Sequence, residues 1–136
     1  MATLILRPVS DESLEHTCSS GSDGYLMISE SNHDDDSTYI YQSISSTSSS
    51  SLTSTFKLSG TMPNSSFKIT GATLYVRGRS SGNGKYSGTY KLSIDTSSSN
   101  LSLSTSYQNS STTSVASSLI NNTYTSSNFP SISVEI

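Results

Sequence analysis

Apolar residues in this chain recur at every second position within short segments, and nowhere do they follow a helical period for more than about two turns. In 72–79, Ala72, Leu74 and Val76 point one way, and Thr73, Tyr75, Arg77 and Arg79 point the other. A side-chain period of two belongs to a strand with one face buried and one face wet. The same pattern predicts strands over 3–7, 24–30, 38–44, 52–58, 67–69, 101–107 and 131–136. Pro8 closes the first of these. Residues 112–120 read as a strand or a short helical turn. The stretch Ser80-Ser81-Gly82-Asn83-Gly84 reads as a hairpin turn, because Gly and Asn supply positive φ angles. The return strand sets Tyr86, Gly88, Tyr90, Leu92 and Ile94 on one face. Roughly eight or nine strands at roughly 10–15-residue spacing predict an all-β chain folded as an antiparallel β-sandwich, jelly-roll-like, with residues 1–136 as a single domain.

Composition decides how well such a sandwich can be filled. Only 31% of the residues are hydrophobic, Trp is absent, and the net charge is −3. Ser and Thr together supply roughly 40% of the chain, far above ordinary usage. Low net charge and regular apolar spacing separate it from disordered chains of similar polarity. A thin core points to a homo-oligomer or lattice subunit, since a partner adds buried apolar area. The runs Ser48–Ser51 and Ser97–Ser99 read as loops, although Ser and Thr also suit the wet face of a strand.

The acidic balance argues against nucleic acid, which needs clustered Lys and Arg. The seven basic residues are scattered, and only Arg77 and Arg79 share one strand face. No run is long and apolar enough for a membrane span, and the opening residues do not form a signal peptide. The expectation is assembly in a cytoplasm, with no membrane partner. Cys18 is the single cysteine, so an internal disulfide framework is excluded, and a small buried side chain is its expected role.

Chemistry-bearing residues are few. Glu30, Asn32, Asp34 and Asp36 recur at alternate positions, so an extended backbone sets four oxygen-bearing side chains on one side. That is a donor set for Ca²⁺, the one cofactor the chain suggests. It has no EF-hand spacing, and a solvated acidic loop between two strands is the plainer reading. His16 and His33 each stand beside an acidic residue, yet no G-x-S-x-G elbow occurs, and the expectation is that the chain is not an enzyme. Tyrosine is the abundant aromatic, with eight copies. Tyr39, Tyr41 and Tyr75 fall on predicted strands and are the candidate glycan contacts, against the plainer role of covering the edges of a thin core. The apolar terminal strands, with Leu4, Leu6, Ile132, Val134 and Ile136, are the candidates for core or docking.

A family resemblance rests on LILRPVSDESLEHTCSSGSDGYLMISESNHDDDSTYIYQSISSTSSSS, TSTFKLSG and ITGATLYVRGRSSG. These segments resemble structural proteins of tailed phages that infect Gram-positive bacteria. Such proteins similarly open on an L-R-P-x-x-D run, carry a DDDSTYI-like segment, and have a K-I-T-G-x-x-L-Y-V-R-like strand. The likeness covers about residues 3–79, and beyond them only the Ser/Thr-rich strand pattern is shared. It implies a β-sandwich component of the virion surface, a capsid decoration, head-fibre or tail-associated protein, assembled in the host cytoplasm with other virion proteins as partners. It carries over no catalytic residue. The alternative expectation is a carbohydrate-binding adhesion module that attaches to host-surface glycans.

Overall fold

The computed structural model describes residues 3–29, 37–42, 51–80 and 89–136. The architecture is all-β and sandwich-like, with eleven strands among the described residues. Its main layer is a five-stranded antiparallel sheet in the order β1 (Arg7–Ser13), β4 (Thr53–Ser59), β11 (Ile132–Glu135), β7 (Thr89–Ile94), β8 (Ser97–Ser102). The shorter strands form two-stranded ribbons: β2 (Thr17–Cys18) with β3 (Ile40–Tyr41), β5 (Phe67–Lys68) with β10 (Thr123–Tyr124), and β6 (Leu74–Gly78) with β9 (Gln108–Thr112).

Alternation along β4, β11 and β7 explains the main sheet. Phe56 pairs with Ile132, which pairs in turn with Ile94, and Ser54 pairs with Val134, which pairs with Leu92. These two cross-strand rows lie on the inner face, where Phe56, Leu92, Ile94 and Ser54 are buried. The intervening row, Thr55, Ser133, Ser93 and Ser98, lies on the other face. There the Thr55 and Ser133 hydroxyls hydrogen-bond at 2.8 Å. The outer face is thus polar, with a hydroxyl row beside Lys57, Lys91 and Glu135, and the inner one is apolar except at Ser54. β11 is a central strand, and the pairing continues to Ile136, whose N–H and carbonyl both bond Leu52. The core joins Tyr90, Leu92 and Ile94 of β7 to Leu74, Leu119 and Tyr124 of the opposing layer.

Several expectations are corrected. The first strand begins at Arg7 rather than spanning 3–7, and it runs on through Pro8 to Ser13. Pro8 is tolerated because β1 is an edge strand, and two register shifts bend it against β4. Residues 24–27 form a 3₁₀ turn, not a strand. The Asp11 carboxylate takes the N–H groups of Gly24 (2.8 Å) and Tyr25 (2.7 Å), which a strand would have offered to a neighbour. A side chain at Gly24 would also collide with Leu14. β6 and β7 do not pair as the expected hairpin: β6 pairs with β9, and β7 belongs to the main sheet, while 81–88, with most of the expected turn, lie outside the described residues. Ser97–Ser99 are strand rather than loop, while 103–107 lie outside any strand. The ambiguous 112–120 region holds a 3₁₀ helix over Ser114–Leu119.

Candidate functional site

The inner face of the main sheet and the β6–β9 ribbon border an apolar cleft of about 2400 Å³. Phe56, Leu58, Leu92 and Val134 contribute from the sheet, and Leu74 and Val76 from the ribbon. A hydrogen bond between the Tyr90 side chain, on β7, and the Ser110 side chain, on β9, links the two layers. Burial pushes the Tyr90 phenol above its usual range, and the Ser110 bond pulls it back part of the way.

The terminal residues predicted for core or docking converge here. Ile132, Val134 and Ile136 are half-buried and pack against the core. Leu4 and Leu6 are half-buried at the same cleft, while Ile5 between them is exposed. The chain reaches this position because Gly60 has no side chain: a Cβ there would collide with the Ile5 carbonyl.

Of the predicted glycan contacts, Tyr39 and Tyr41 form a tilted ring pair with centroids 5.7 Å apart. Tyr39 is held from both sides of its peptide, its N–H donating to Ser19 Oγ and its carbonyl accepting from the Ser19 N–H, each at 2.9 Å. Tyr75, on β6, is 78% exposed. Glu30, Asn32, Asp34 and Asp36, the candidate calcium ligands, lie outside the described residues. Among the described residues, no group of three or more His, Cys, Asp or Glu is placed to hold a metal ion, and no helix is long and apolar enough to cross a membrane.

Arg77 and Arg79 share a face, as the alternation required. Their guanidinium carbons stand 5.4 Å and 5.0 Å from the centroid of the same Tyr107 ring. Arg77 also donates to Asn109 Oδ1 at 3.1 Å. Cys18 is only half-buried, less than expected. Burial, with the carboxylates of Asp11 and Asp23 adding to it, pushes its thiol above the usual value and so disfavours the reactive thiolate.

One cluster escaped the sequence reading. Ser54 occupies an inward position on β4, where the alternation calls for an apolar residue, and it is fully buried. Its Oγ accepts the N–H groups of Glu15 (3.1 Å) and His16 (3.2 Å) and lies 2.7 Å from His16 Nδ1. His16 is itself buried, and its Nε2 has no hydrogen-bond partner among the described residues. The Glu15 carboxylate turns away to the Thr53 N–H at 2.6 Å. A serine, a histidine and an acid thus meet, but the hydroxyl is sealed from solvent and its lone pairs are engaged, so the group serves packing rather than nucleophilic attack. A polar residue in an otherwise apolar alternation is the only sequence signal of this cluster.

No protein-family model, no curated protein and no solved structure matches this chain.

Proposed function

We propose that this chain is a non-enzymatic structural protein on the exterior of a tailed-phage particle, as a capsid decoration, head-fibre or tail-associated subunit. The observation that carries the reading is the two-sidedness of the main sheet. Its outer face presents the hydroxyl row of Thr55, Ser133, Ser93 and Ser98, and its inner face borders an apolar cleft of about 2400 Å³. A hydroxyl-rich face keeps many copies soluble without a strong charge field, and the exposed apolar side chains of Ile5, Val9 and Leu26 are what docking on a particle or on sister subunits would bury. The resemblance over residues 3–79 supports the same reading: all but the first residue of the L-R-P-x-x-D run lies in β1, and the K-I-T-G-x-x-L-Y-V-R run starts at Lys68, the last residue of β5, and covers most of β6. The geometric role is docking through an apolar face or strand edge, with polar loops projecting outward.

Quantitative mass spectrometry of gradient-purified particles tests this. A fixed stoichiometric copy number per particle supports it, and recovery from the host lysate alone refutes it. A second reading, a glycan-binding adhesion module, draws on the exposed Tyr75 ring and the Tyr39–Tyr41 pair. A glycan array with and without chelator separates the two. Binding in neither condition counts against adhesion, and binding only without chelator ties it to a cation.

A further inference from the structure

The Ser54 hydroxyl has two lone pairs and one proton. Both lone pairs are taken by backbone N–H groups, those of Glu15 and His16. The remaining contact, to His16 Nδ1 at 2.7 Å, must therefore carry the hydroxyl proton. This settles the imidazole: Nδ1 accepts, the ring is neutral, and its own proton is on Nε2. From this geometry we infer that His16 and Ser54 form an acid-sensitive latch that holds the end of the first strand onto the sheet interior.

A proton taken up from solvent can add only to Nδ1, the ring nitrogen with a free pair. The new Nδ1–H would then face an oxygen that already accepts two N–H donors and whose own proton lies along the same line. One buried oxygen cannot serve three N–H donors. Something must leave, and every candidate belongs to residues 15–16 or to Ser54 itself. Protonation therefore lifts the segment that follows β1. β1 is the edge strand that covers one side of β4, and its register against β4 is already broken twice. Acid thus uncovers a strand edge.

The surrounding charges do not rescue the cation. On β1, the Asp11 carboxylate is occupied by the Gly24 and Tyr25 N–H groups, and Glu12 is exposed. Glu15 favours the cation through its field, but its carboxylate is held by the Thr53 N–H. On β4, Lys57 is exposed, and on β11 Glu135 accepts from Ser51 Oγ. Beside the 3₁₀ turn, Asp23 is exposed. Burial outweighs Glu15 and places the imidazole below its ordinary 6.5. The sign follows: the opened segment binds a proton more readily than the closed one, so closure is complete above pH 6.5 and weakens as pH falls below it.

Nitrogen-15 NMR of the histidines tests the latch, in a His33→Gln background that leaves one imidazole. The expected result is an Nε2–H tautomer at pH 8 and a midpoint below 6.5. Hydrogen exchange at the Glu15 and His16 amides, corrected for intrinsic rates, should accelerate by up to about tenfold for each pH unit below 6.5. The Leu92 and Ile94 amides at the sheet centre should not follow. An Nδ1–H tautomer, a midpoint at or above 6.5, or equal acceleration throughout the sheet overturns the inference. In His16→Gln the acid dependence at the Glu15 amide should vanish, and its persistence in a folded variant also overturns the latch. If that variant does not fold, the tautomer and midpoint of the intact imidazole decide.

Discussion

Phe56 is the largest of the fully buried side chains among the described residues. Its β4 position pairs it with Ile132, and its ring borders the cleft. Phe56→Ala should cost about 3–5 kcal/mol, read from denaturant midpoints, because the lost apolar contact is compounded by the cavity left behind. A loss below about 1 kcal/mol would mean that the inner face is not a packed core. Tyr90 carries a different dependence. Its phenol titrates above the ordinary value because it is buried, so its contribution is intact below pH 10 and is lost as the pH rises beyond that. Tyr90→Phe should flatten the alkaline limb of the stability profile, and an unchanged limb would place the dependence elsewhere. Neither Ser54 nor His16 could be read as a pair from the sequence, because 38 residues separate them and serine is abundant throughout.

Among the elements, legibility followed side-chain chemistry. β4, β6 and β11 were visible because their apolar residues alternate: Phe56 with Leu58, Leu74 with Val76, Ile132 with Val134. β8 was hidden because it is mostly serine, and its half-buried positions, such as Ser97 and Ser99, carry no apolar signal. The hairpin that does form joins β7 to β8 through Asp95 and Thr96, with Asp95 at φ 54°. No glycine marks that turn, whereas the glycines near residue 80 drew attention to a pairing that β9 occupies instead. Asp tolerates the left-handed region and a β-branched residue does not. Asp95→Val should therefore cost about 1–3 kcal/mol, while Asp95→Gly should fold without such a penalty. Equal stabilities by thermal melting would contradict this turn. The 24–27 segment was misread for another reason: Tyr25, Leu26, Met27 and Ile28 look like strand, but the decisive partner, Asp11, is 13 residues away.

For the whole molecule, the sequence correctly announced an all-β sandwich-like architecture, and the structure adds where its apolar residues gather. Many of the apolar residues line one cleft between the main sheet and the β6–β9 ribbon, and the opposite face of the sheet carries a hydroxyl row beside Lys57, Lys91 and Glu135. A hydroxyl-rich outer face, together with exposed apolar side chains such as Ile5 and Leu26, is the basis for reading it as a subunit of a larger assembly. The aspartate segment that distinguishes the sequence lies outside the described residues, so the proposed role rests on the two faces of the sheet and on the resemblance over residues 3–79. Cryo-electron microscopy of the phage particle assembled with this protein measures the central claim directly. The expected map shows the sandwich at regular positions on the outside of the head or tail, with the Thr55–Ser133 face toward solvent. Particles with no density for it, or density confined to the inside of the shell, would contradict the claim.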